Sequence, residues 1–105
     1  MLIRDKVGKE IQETLKKHKQ SEVKMIKLSS NEEFFQALIE KIQDELDLLT
    51  ITKAPEHLAE IYELIDWVQI SLGITGVNEI IEKRKDKLGL YWERYYLKEE
   101  SEQED

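Results

Sequence analysis

One proline and four glycines are the only strong chain breakers in a sequence of 105 residues. Tight turns and left-handed positions draw mainly on those two residue types, so a chain this poor in them is expected to form few and long elements. Between the breakers, apolar residues recur three and four positions apart, the spacing of a helix face. The two features together predict an all-α chain, an antiparallel four-helix-type bundle. Its length supports one modest core, so residues 1–97 are expected to form a single helical domain, with 98–105 a disordered acidic tail.

A first helix is expected over about 6–18, carried by Val7, Ile11 and Leu15. Residues 19–28 read as an extended connector lying on the core through Val23, Met25, Ile26 and Leu28. In "SSNEEFF" either Ser29 or Ser30 can cap a second helix, with Glu32 or Glu33 completing a capping box. That helix runs over about 31–51 with Phe35, Leu38, Ile42, Leu46 and Leu49 as its core stripe. Pro55 suits the first turn of a third helix, whose core residues are Leu58, Ile61, Tyr62, Ile65, Gln69 and Leu72. Gly73 is expected to close it in the left-handed conformation. Thr75 starts a fourth helix that reaches Leu88 and is closed by Gly89. "LYWERYYL" then packs back as a short helix or strand.

Charge is distributed unevenly. Residues 1–27 hold eight basic against four acidic side chains, and residues 31–66 hold ten acidic against two basic. Five basic and four acidic groups follow in 67–97, and the whole chain carries −7. An excess of acid argues against a nucleic-acid polymer as partner, although most charge runs simply solvate helix faces. With no cysteine, disulfides and thiolate metal sites are excluded. No apolar run approaches the roughly 20 residues of a membrane span, and the amino terminus does not read as a signal peptide. A cytoplasmic location and no membrane partner are expected.

Helical geometry sorts the carboxylates at about 100° per residue. On the second helix Glu45 falls on the flank of the core stripe, while Glu40, Asp44 and Asp47 fall on the far side in line with Ile51. On the third, Ala59, Glu63, Asp66 and Ile70 form a stripe apart from the main core face. Acids bracketed by apolar residues point to a cleft or to a face covered by a partner subunit. Acids on two adjacent helices can converge on Mg²⁺, which takes carboxylate oxygens and keeps waters for a phosphate to displace. His18 reads as a surface residue near a helix end and His57 as structural. Trp67 and Trp92 read as core or interface residues more readily than as a base-stacking device.

Four segments, in order, are similar to one family. "LIRDKV" resembles the "LVRDKIP" opening of a branch of the MazG-like nucleoside triphosphate pyrophosphohydrolases, relatives of the phosphoribosyl-ATP pyrophosphohydrolases. "LSSNEEFFQALIEKIQDELDLL", "HLAEIYELIDWVQISLGIT" and "KRKDKLGLYWERYYL" resemble its later segments, with Gly89, Tyr91 and Arg94 at matching places. The resemblance implies a helical bundle assembled as a homodimer or tetramer, with Mg²⁺, or Mn²⁺ in its stead, held by two acidic clusters. One cluster falls on Glu63 and Asp66 or, one turn earlier, on Glu60 and Glu63. The other falls on Asp44 and Glu45, and its closing acid lands on Leu48, which cannot ligate. Asp47, or Asp44 with Asp47, would have to substitute.

The implied substrate is a nucleoside triphosphate. Water activated by the cation would attack a phosphorus and split the α–β phosphoanhydride, releasing nucleoside monophosphate and pyrophosphate. Glu45 and Glu63 are the implied catalytic carboxylates, one of them acting as general base. Arg4 and Lys6 would clamp the phosphates, with Lys83, Arg84, Lys87 and Arg94 behind them. The rival expectation is a catalytically degenerate protein of the same fold, binding a nucleotide or a protein as an oligomer.

Overall fold

A computed structural model describes residues 1–18 and 22–99. Residues 19–21 of the expected connector and 100–105 of the expected acidic tail lie outside the described residues. Four helices follow one another: α1 (Asp5–Lys17), α2 (Asn31–Thr52), α3 (Pro55–Leu72) and α4 (Val77–Leu88). No strand occurs among the described residues, so the fold is all-α. Residues divide into two compact units, Met1–Ile74 and one that begins at Thr75.

In the first unit, α2 and α3 form a helical hairpin, and they are the only helices that pack closely on one another among the described residues. The start of α2 is set by Ser30, whose hydroxyl accepts the Glu33 backbone N–H at 3.1 Å. The same hydroxyl donates to the Glu33 carboxylate at 3.1 Å, so the two side chains lock each other. At the far end Lys53 turns the chain in a left-handed conformation, φ 55°, and its N–H reaches the Leu49 carbonyl at 2.8 Å. Ala54 is extended, as the residue before a proline prefers, and Pro55 opens α3 where no helical N–H is needed.

A two-residue connection makes the helices antiparallel neighbours. Two contacts fix their register. Phe34, near the start of α2, meets Trp67, near the end of α3, edge to face with ring centroids 6.3 Å apart. Glu45, in the second half of α2, meets His57 in the first turn of α3. Between them lies the core, where Leu38, Ile61 and Leu64 are buried. Gly73 ends α3 at φ 66°, and the Ile74 N–H returns to the Gln69 carbonyl at 3.0 Å, the pairing of a Schellman cap.

The inner face of α3 is only partly the expected one, since of the expected core residues Ile61 is buried and Gln69 half-buried. His57, Ile61, Leu64, Val68 and Ser71 turn inward to varying degrees, whereas Leu58, Tyr62, Ile65 and Leu72 are exposed. On α2 the expected core residue Leu46 is exposed, and Glu45 beside it is buried. A step of one residue is a rotation of about 100°, enough to exchange an inward for an outward position.

The second unit holds α4, which begins at Val77 rather than Thr75. Gly76, at φ 75°, is the residue before it and accepts the Ile80 N–H through its carbonyl. Gly89 closes the helix, its N–H 2.8 Å from the Lys85 carbonyl. The segment after it forms neither of the expected elements. It makes one turn, Arg94 N–H to Tyr91 carbonyl at 3.1 Å, and continues without regular structure. No helix among the described residues is long and apolar enough to cross a membrane.

Candidate functional site

Glu60 and Glu63 stand one turn apart on α3, so their carboxylates share a face. Ahead of α1, the backbone of Arg4 is extended, and its carbonyl takes the first helical hydrogen bond, from Gly8, at 2.8 Å. That geometry sends the guanidinium across to both acids. Nη1 and Nη2 donate to the two oxygens of Glu63 at 3.0 and 2.9 Å, and Nη2 also donates to Glu60 Oε2 at 2.6 Å. A planar guanidinium matches a carboxylate with two parallel bonds, and here it takes on a second carboxylate as well.

The electrostatics follow from the contact. Hydrogen bonds from Arg4 hold the Glu63 carboxyl below the usual carboxylate range, with partial desolvation opposing the shift. The bonds to Glu63 and then Glu60 drive the Arg4 guanidinium still higher than its already high ordinary value. Arg4 and Glu63 are both charged at neutral pH.

These residues rim a cavity of about 450 Å³, within the range of small-molecule sites. Leu2, Ile3 and Val7 form one wall, and Phe34, Leu38, Leu64 and Trp67 of the hairpin form the other. Arg4, Asp5, Lys41, Glu60 and Glu63 supply its polar groups. Arg4 and Glu63, both displaced in pKa, line this one cavity.

Glu45, expected as a catalytic and metal-binding carboxylate, has a different local setting. It is 8% exposed, with Oε2 at 2.8 Å from His57 Nδ1 and Oε1 at 3.7 Å from Lys41 Nζ. Both oxygens are engaged within the hairpin. Asp44, Asp47 and Leu48 on α2 are exposed, as are Ala59, Glu63, Asp66 and Ile70 on the outer stripe of α3. Lys6 is exposed on α1, and Lys83, Arg84, Lys87 and Arg94 are exposed within the second unit.

Among the described residues no three His, Asp or Glu side chains gather in a way that could hold a metal ion. A two-carboxylate arrangement is present. Glu60 Oε2 and Glu63 Oε1 lie 2.6 and 2.9 Å from a single point, the Arg4 Nη2 nitrogen. Mg²⁺ commonly takes one or two protein carboxylates and completes its octahedron with water and substrate phosphate. In this structure the pair is taken up by Arg4.

Sequence reasoning paired Glu60 with Glu63 as one alternative and gave Arg4 the role of a phosphate clamp, but it did not place Arg4 in direct contact with the two acids, and it left His57 without a partner. One signal was available for His57. Glu45 follows Leu38 and Ile42 at seven and three residues, an inward slot on a helix, and a carboxylate there needs a partner. No family model, no curated protein and no solved structure matches this chain.

Proposed function

We propose that this chain is a Mg²⁺-dependent nucleoside triphosphate pyrophosphohydrolase of MazG-like type, working as a homo-oligomer. The observation that carries the reading is the position of Glu60 and Glu63, two carboxylates converging at the mouth of an apolar cavity that also presents Arg4 and Lys41. A substrate that is part flat and apolar, part polyanionic, suits such a cavity once its negative charge is countered. Glu60 and Glu63 would hold the cation. Bound there, it would polarise the phosphate chain and lower the pKa of water for attack. Arg4 and Lys41 would neutralise and orient the phosphates, and Phe34 and Trp67 would cover the apolar part and exclude water. Of the two carboxylates, whichever keeps an oxygen free of the cation is placed to take the proton from water.

Assembly has its own support. Ile51, Tyr62 and Ile70 lie largely uncovered on the outer faces of the hairpin, and Tyr91, Trp92, Tyr95 and Leu97 are uncovered in the second unit. Apolar groups exposed in such number suit a surface that another chain covers.

A second reading, a nucleotide-binding protein without catalysis, is favoured by one observation. Glu45 is held by His57 and Lys41, Leu48 offers no oxygen, and among the described residues no third acid or histidine gathers with the pair on α3. The deciding experiment is pyrophosphate release from a panel of canonical and modified nucleoside triphosphates, with Mg²⁺ and with chelator. Metal-dependent release that is lost in Glu63→Ala supports the hydrolase. Tight nucleotide binding without release, in folded and assembled protein, supports the binding protein.

A further inference from the structure

Each helix of the hairpin carries a second apolar stripe beside the one that makes the core. On α2 it is Phe35, Ile39, Ile42, Leu46 and Leu49, and on α3 it is Leu58, Tyr62, Ile65, Gln69 and Leu72. Both stripes advance by four, three, four and three residues, the spacing of helices that pack knobs into holes. We propose that the two stripes form one docking face, and that its occupant is the same face of a second copy of this chain, giving a four-helix bundle. This rests on the homo-oligomer reading and names the face that it uses.

The two stripes share a side of the hairpin. At 3.6 residues per turn, the α2 stripe is centred about 70° from the inward line of Leu38 and Glu45. The α3 stripe is centred about 100° from the inward line of His57, Leu64 and Val68. Phe34 and Lys41 on α2, and Glu60, Glu63 and Trp67 on α3, are displaced in the opposite sense, and these residues line one cavity. The stripes therefore lie together on the other side, and pairing through them leaves the cavity of each copy open.

Three observations name a second copy as the occupant. The core of the single chain is small. Leu38, Ile61 and Leu64 are the buried apolar side chains among the described residues, set against helices of 22 and 18 residues. Helices owe most of their stability to the apolar face they bury, so this pair has burial still to gain. Next, the face is uncovered and carries no charge. Leu46, Leu58, Tyr62, Ile65 and Leu72 are 43–67% exposed, and none of the ten residues is charged in a chain that is 37% charged. Last is size. At about 170 Å² for an extended residue, the exposed fractions of the ten amount to about 600 Å² per copy. Two such faces bury about 1,200 Å², where specific stable interfaces begin. A face two helices wide is matched by another hairpin, whereas α4 is a single helix of 12 residues.

The test is association in solution. Sedimentation equilibrium should give wild type twice the mass of one chain or a multiple of it, and Ile65→Glu should lower that mass at least by half. Gln36→Glu adds the same charge at an exposed position of α2 outside the face and should leave the mass unchanged. Because the chain has no cysteine, single thiols probe the face without adding charge, and they decide the matter where Ile65→Glu fails to fold. The thiol of Ile65→Cys should react with a maleimide about tenfold more slowly than that of Gln36→Cys, because the copies must first part. Dilution that separates the copies should bring the two rates together. An oligomer that keeps its mass in Ile65→Glu, an equal fall in Gln36→Glu, or equal labelling of the two thiols overturns this face and leaves the homo-oligomer reading standing. A monomeric wild type overturns both, and protection of Ile65→Cys in that monomer would assign the face to the chain's own second unit.

Discussion

Glu45 Oε2 lies 2.8 Å from His57 Nδ1, and this contact ties the second half of α2 to the first turn of α3. With Lys41 on the other oxygen, a buried acid finds partners on both sides. Buried carboxylates are costly when left alone and tolerable when paired, which is why the hairpin can hold one at its centre.

Removing one partner is therefore worse than removing both. His57→Ala should destabilise the protein by about 1–3 kcal/mol, because it leaves a desolvated acceptor short of a donor. The double change Glu45→Leu and His57→Leu should recover most of that loss. Urea unfolding followed by circular dichroism measures both, and a single mutant no less stable than the double would remove the contact from the list of things holding the hairpin.

Leu38 is the most buried side chain of the core, at 1% exposure. It packs where the cavity floor meets the hairpin, beside Leu64. Leu38→Ala should cost about 2–5 kcal/mol, the range for deleting a buried leucine side chain. Thermal unfolding gives the value. The outer residue Ile51, 78% exposed, offers the comparison, and in a monomeric preparation Ile51→Ala should stay within about 0.5 kcal/mol of wild type.

The two left-handed residues at the ends of the hairpin predict opposite signs. Gly73 sits at φ 66° with open space where a Cβ would stand, so Gly73→Ala carries a conformational cost alone, about 1 kcal/mol. Lys53 already bears that cost at φ 55°. Lys53→Gly should be neutral to stabilising by up to about 1 kcal/mol, with the gain tempered by a more flexible unfolded chain. Midpoints of chemical denaturation for the two variants should move in opposite directions.

The helix ends were largely legible in the sequence because they are written in local chemistry. Ser30 with Glu33, Pro55, Gly73 and Gly89 each act on their own neighbours, and each marks an end as expected. Thr75 failed as the start of α4 because Gly76 takes a left-handed conformation that a helix cannot include. The face of α3 was legible only in part, through Ile61 and the exposed stripe of Ala59, Glu63, Asp66 and Ile70. Leu58, Ile61, Tyr62, Leu64, Ile65, Trp67 and Val68 surround the helix with apolar groups, so periodicity alone cannot choose between faces, and packing against α2 decides. The Arg4 contact was hidden for a different reason. It joins residues 56 and 59 positions apart, and only the basic amino-terminal region facing an acidic middle hinted at attraction between them.

Arg4 and Glu63 also set a pH dependence. Hydrogen bonds from Arg4 lower the Glu63 pKa in the folded protein, so the folded state binds this proton less readily than the unfolded chain does. The contribution of the bridge is fully present above the ordinary carboxylate pKa of about 4.3. It is lost as pH falls through the lowered folded value. On the alkaline side Arg4 stays charged beyond any pH at which the protein would be handled, so the bridge contributes a constant amount from weakly acidic to alkaline solution. Carbon-13 titration of the Glu63 carboxyl in chelator should place its midpoint below that of an unpaired glutamate, and Arg4→Gln should bring it back to the ordinary range. An ordinary midpoint in the wild type would mean that Arg4 spends most of its time elsewhere, and the cavity rim would then hold two uncountered acids.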